Sequence, residues 1–66
     1  MNEGEIRLAA FLLMKQHGDD AENIALSRAD ELLAAGDYVG CTEFIRIARA
    51  IRASNPQTPR KGEGAN

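Results

Sequence analysis

The side chains with the reactivity for acid–base, metal or thiol chemistry are His17, the pair Asp19-Asp20 and Cys41. The side chains with a spacing suited to phosphate are Arg46, Arg49 and Arg52. His17 is the only histidine, and a zinc site takes three or four ligands, so a metal or general-base role lacks its partners. At the end of a helix, just before glycine, a histidine is instead favoured by the negative end of the helix dipole when charged. A calcium loop distributes its carboxylates over some twelve residues, and Asp19-Asp20 has no such company. Cys41 near a helix start has a mechanism for thiol activation, yet it falls in register with Phe44 and Ala48, as a buried structural cysteine would. No Ser/His/Asp or Cys/His arrangement emerges from spacing, and no glycine-rich phosphate loop follows a strand. The sequence predicts no catalytic, cofactor-binding or metal-binding residue.

Arg46, Arg49 and Arg52 recur every three residues and slant along one side of a helix, with Arg60 and Lys61 following. Phosphate contact is one meaning of such a band. A solvated face, with the last arginines favoured by the helix dipole, is the plainer one. A helix-turn-helix across Gly36 is disfavoured, because Tyr38, Val39 and Gly40 stand where a recognition helix would present polar base-reading side chains.

These residues must be positioned by helices, since no strand-like alternation occurs anywhere. Gly18 is followed by Asp19 and Asp20, and Gly36 by Asp37. Glycine just past a helix accepts the left-handed backbone that ends it, and aspartate next accepts from the open N–H groups of a new helix. Asp19 with Glu22 is an imperfect capping box. The fold class predicted is all-α: a short antiparallel three-helix domain over residues 1–53, with a disordered C-terminal tail over 54–66. The helices are expected over about Glu3–His17, Asp20–Ala35 and Tyr38–Ala53. Ile6, Ala9, Ala10, Leu13 and His17 share one face of the first. Ala21, Ile24, Ala25, Leu32 and Leu33 form the buried side of the second. Cys41, Phe44, Ala48 and Ile51 form the stripe of the third, with Ile45 and Ile47 on its flanks. The core is expected to be led by Leu13, Ile24, Leu32, Phe44, Ala48 and Ile51. Arg28 has two readings: an ion pair to Asp37 or carbonyls across the second junction, or a small polar pocket with Glu5 near His17. The tail has two prolines, two glycines and no apolar stripe, a composition that does not support a core.

The first helix carries more apolar surface than one stripe requires. Leu8 to Met14 is an unbroken apolar run, and Leu8 and Leu12 lie nearly opposite the predicted core face, with Phe11 close by. A contiguous exposed apolar patch usually marks an interface. Leu8, Phe11 and Leu12 are therefore the predicted protein-interface residues, and a second copy of the chain or another protein is the predicted partner. Length agrees. A chain of 66 residues makes a marginal core, which disulfides, metals or oligomerisation usually supplement. One cysteine excludes an intramolecular disulfide and suits a reducing, cytoplasmic setting. No apolar run approaches the ~18 residues of a membrane span, and the first residues are acidic where a secretion signal is basic. Net charge is −2, made of −4 over residues 1–35 and +2 over 36–66. That balance makes nucleic acid a less favoured partner, and a regulator binding through Arg46, Arg49 and Arg52 stands as the alternative to the interaction module.

Two resemblances bear on the reading. Gly36-Asp37-Tyr38, Cys41, Phe44-Ile45 and Ala48 look like the second helix of a tetratricopeptide hairpin. One such repeat cannot bury its face, so the likeness is read as the shared physics of paired antiparallel helices. His17-Gly18-Asp19-Asp20-Ala21, Arg28-Ala29-Asp30, Leu32 to Asp37, Gly40, Arg46-Ile47 and Ala50-Ile51 together resemble a group of short helical proteins of alphaproteobacteria, a domain of unknown function. The resemblance spans roughly residues 6–53. It implies a bacterial cytosolic protein and carries no activity. Members often have tryptophan near Phe44, where this chain departs conservatively.

Overall fold

A computed structural model describes residues 1–54. The predicted tail lies outside the described residues, except that Ser54 closes the last helix. The described chain is all-α: α1 (Glu3–His17), a single 3-10 turn (Gly18–Asp20), α2 (Ala21–Ala34) and α3 (Tyr38–Ser54). The two junctions are not equivalent, which corrects the picture of three separate helices joined by two like turns. α1, the 3-10 turn and α2 follow one another with no coil residue between them, so they form one bent helical path, kinked where Gly18 leaves helical backbone (φ 57°, ψ −126°). Only Ala35–Asp37 truly interrupts it.

Local chemistry explains each boundary. Asn2 has an extended backbone, and its side-chain oxygen accepts from the Glu5 N–H at 2.8 Å. Glu5 returns the favour by accepting the Asn2 N–H at 2.9 Å, completing a capping box. At the bend Gly18 takes φ 57°, and its N–H donates to the Met14 carbonyl. Asp20 does not cap α2, contrary to expectation. Its backbone is already helical (φ −87°, ψ −4°), whereas a capping side chain needs an extended backbone to fold back onto the N–H groups ahead. The 3-10 turn closes this junction instead, with the Ala21 N–H donating to the Gly18 carbonyl.

The second junction follows the expected chemistry. Gly36 sits at φ 84°. Its N–H reaches the Leu33 carbonyl at 3.0 Å, and the Asp37 N–H reaches that of Leu32 at 2.8 Å. That pair of bonds is the Schellman arrangement, which requires a left-handed residue at this point. Asp37 then caps α3, accepting the Gly40 N–H at 2.9 Å.

The short link makes α2 and α3 antiparallel, and Arg52 near the end of α3 meets Glu22 near the start of α2 at 3.8 Å. Their seam is built of small residues. Ala21 and Ala25 are fully buried, Ala29 and Ala48 nearly so, and Cys41 continues the seam toward the turn. Alanine facing alanine lets two helix backbones approach closely. α1 lies across the second half of α3. Ile6 and Ala10 are buried in one cluster with Ala21, Ala25, Ile47, Ala48 and Ile51.

Of the six residues predicted to lead the core, Ala48 and Ile51 are buried, while Leu13, Ile24, Leu32 and Phe44 are half-buried. Leu13 and Phe44 pack against the cluster from outside. Ile47, placed on a flank by periodicity, is the largest fully buried side chain. The reason lies in α1. It covers α3 on the side of Ile47, so the buried stripe of α3 is wider than its contact with α2 alone.

Two measurements test this account. Ile47→Ala should cost about 2–5 kcal/mol, as truncation of a buried isoleucine does. In denaturant unfolding, a loss no larger than that of Phe44→Ala would contradict the packing. The cap makes a coupled prediction. A Cβ on Gly40 would stand 2.5 Å from the Asp37 Oδ2, so Ala at 40 displaces the capping carboxylate. Asp37→Ala should cost about 1 kcal/mol. Gly40→Ala should bring no gain in the native chain, yet stabilise by about 1 kcal/mol in the Asp37→Ala background, where only helix propensity remains. Additive effects in the four-variant cycle would refute the coupling.

Candidate protein-interaction face

α1 presents apolar side chains on two opposed sides. At 100° per residue, Ile6, Ala10 and Leu13 fall together on the inner side. Leu8 and Leu12 fall on the outer side, with Phe11 at its edge. The structure leaves Leu8 57%, Phe11 58% and Leu12 46% exposed. All three predicted interface residues thus stand on one uncovered surface of the described chain. Met1, Glu5, Leu8, Ala9 and Leu12 line a shallow groove along it. Ala9 has the shortest side chain of the five and lies between longer neighbours.

Two charged side chains bracket the leucines at helical intervals. Glu5 lies three residues before Leu8, and Lys15 three residues after Leu12. The Lys15 ammonium sits 5.8 Å from the centre of the Phe11 ring, within cation–π range. Lys15 makes no ion pair among the described residues. Arg7, beside this face, pairs with Glu3 at 3.7 Å, one turn back. Sequence reading named the apolar members and missed Glu5 and Lys15, although the same i, i+3 and i+4 counting reaches both.

A smaller apolar area lies at the α2–α3 turn. Tyr38 and Val39 are largely exposed, and with Thr42, Glu43 and Arg46 they line a second shallow depression. Leu33, assigned to the buried side of α2, is half exposed. It lies four residues beyond Ala29, and the Ala35–Asp37 turn carries the chain away before α3 can cover it.

The arginine band is exposed, as its spacing implies, but its surroundings are mixed. Arg52 faces Glu22. Arg46 and Arg49 line a shallow cleft with Glu3, Ile6 and Ala50, while the Glu3 carboxylate pairs with Arg7. The α-amino group of Met1 lies 2.6 Å from Glu43 Oε2. That hydrogen bond and the charge of Glu43 hold the amine above its ordinary pKa.

The remaining candidates are dispersed. His17 ends α1 on the surface, and Asp19 and Asp20 are exposed in the 3-10 turn. Cys41 is buried. Among the described residues no group of three or more His, Cys, Asp or Glu side chains could hold a metal ion. Arg28 is exposed and, among the described residues, makes neither of the two partnerships read for it. No helix of the described residues is long and apolar enough to cross a membrane. No family model, curated protein or solved structure matches the chain.

Proposed function

We propose that this chain is a small protein-interaction module without catalytic activity, homo-oligomeric or a subunit of a larger complex, whose contact surface is the outer face of α1. In this reading the unit acts as three antiparallel helices hinged at Gly18. The observation that carries it is the exposure of Leu8, Phe11 and Leu12 directly opposite the side of α1 that enters the core. Burying a leucine or phenylalanine is worth about 1.5–3 kcal/mol. A domain with so few large core residues gains proportionately from covering three more. A bacterial cytoplasmic setting belongs to the same reading.

Sedimentation velocity from about 1 µM to about 1 mM spans association free energies of roughly −8 to −4 kcal/mol. The chain should shift from monomer toward dimer within that window, and its melting temperature should rise with concentration. Leu12→Gln with Phe11→Gln should abolish the shift while leaving the helical signal intact, because both side chains lie outside the core and Gln is a good helix former. A native chain that stays monomeric throughout defeats self-association.

A nucleic-acid-binding regulator is the second reading, supported by three exposed guanidinium groups on one side of α3. Glu22, 3.8 Å from Arg52, weighs against it. In an electrophoretic shift on mixed duplex DNA we expect no complex at moderate salt, since phosphate binding falls steeply as counterion release is suppressed. A complex that persists there, and is lost in Arg46→Ala with Arg49→Ala, would put this reading first.

A further inference from the structure

We infer that the outer face of α1 docks on the same face of a second copy of this chain, antiparallel, across a two-fold axis at the level of Ala10. The inference rests on the interaction module proposed above and specifies its partner and register. The face carries Glu5, Leu8, Leu12 and Lys15, at intervals of three, four and three residues. That order is symmetric about residue 10 in position and side-chain character, and opposite in charge. A two-fold contact sets each surface against itself in reverse. Here it would set Leu8 against the other copy's Leu12, and Glu5 against the other copy's Lys15, and every contact would occur twice. A parallel in-register pairing of the same helices would set Glu5 on Glu5 and Lys15 on Lys15. The charges therefore select the antiparallel arrangement.

Both charged groups are available. The Glu5 carboxylate spends one oxygen on the Asn2 N–H, which leaves the other for a cation. Lys15 leans over Phe11 on this same side of α1, without a carboxylate among the described residues. The two lie about 15 Å apart along the axis at 1.5 Å per residue, so each pair closes one end of the leucine contact. Between them Ala9, the smallest side chain lining the groove, leaves room for a leucine of the other copy. Contact through one helix each falls in the small-interface range. Association should accordingly be weak and sensitive to salt, because the end pairs are solvent-exposed and screened.

Charge reversal in the full chain tests the register. Dimer dissociation constants come from sedimentation equilibrium at low salt, with circular dichroism confirming each fold. Lys15→Glu and Glu5→Lys alone should each weaken association about tenfold, since each turns two attractive exposed pairs into repulsive ones. The double reversal should return it to near the native value. Glu5→Gln keeps a capping-box residue at that position and should weaken association by a smaller factor, separating loss of charge from loss of the cap. All of these differences should shrink at high salt. A native dimer indifferent to either single reversal, or not restored by the double one, overturns the antiparallel register and leaves self-association standing. A native chain that is monomeric at every concentration overturns both.

Discussion

The close approach of α2 to α3 along an alanine seam is the constraint from which the rest of the fold follows. Ala21, Ala25 and Ala29 are buried on one helix and Ala48 on the other. Such a contact excludes water without using large side chains, so it brings the backbones together at modest hydrophobic gain per residue. The volume of the core must come from elsewhere. Ile47 and Ile51 supply it from α3, and Ile6 from α1, and all three join the alanines in one cluster. The hairpin alone would leave these isoleucines against solvent. α1 is thus the lid that makes the hairpin's apolar side a core. Its position is fixed by Ile6 and Ala10, and the break at Gly18 gives the chain the freedom to bring it there.

That division of labour explains why α1 has two apolar sides. Its inner side needs only Ile6 and Ala10 fully buried, with Leu13 and Met14 half covered. Nothing in the hairpin requires Leu8, Phe11 or Leu12, and no described element reaches them. Their cost in water is not offset by the fold of a single copy. A lone exposed leucine on a protein surface is ordinary. Three bulky apolar residues on one helical face, bracketed by opposite charges, form a patch with its own polarity and periodicity, which is what a recognition surface needs.

The helical content, the Gly36–Asp37 junction and the apolar surplus of α1 were all legible in the sequence, because each depends on local chemistry or on counting by 3.6. The Asn2–Glu5 capping box has a readable spacing as well, masked by the acidic character of the same residues. What could not be read was which face of α3 would be deepest. A single stripe is defined by one neighbour, and Ile47 becomes central only because a second neighbour, α1, crosses above it. At the Gly18 junction the positive-φ glycine was legible and the absence of a capping aspartate was not. Glycine followed by two aspartates fits a capped restart, and it fits equally a 3-10 turn that leads straight into α2. Only the observed dihedral angles at Asp20 decide between them. Leu33 failed in the same way, since a helical face says which side is apolar and not how far the partner helix extends along it.

The charge asymmetry of the sequence, acidic at first and basic later, is met in part within the fold. α1 and α2 begin with acidic residues, Glu3, Glu5 and Glu22, which suits the positive ends of their dipoles. Packing then places Glu3 in a cleft with Arg46 and Arg49, and Glu22 opposite Arg52. The Arg52–Glu22 pair is largely exposed, and worth between nothing and about 1 kcal/mol, so it follows from the packing and does not drive it. It lowers the pull of the basic band on a phosphate backbone at the Arg52 end. On the outer face of α1, Lys15 has an aromatic ring beneath it and no carboxylate among the described residues, while Glu5 retains an acceptor oxygen. The two charges that flank the uncovered apolar surface of α1 make no ion pair among the described residues, and that free charge beside uncovered apolar surface supports reading α1 as a contact between copies.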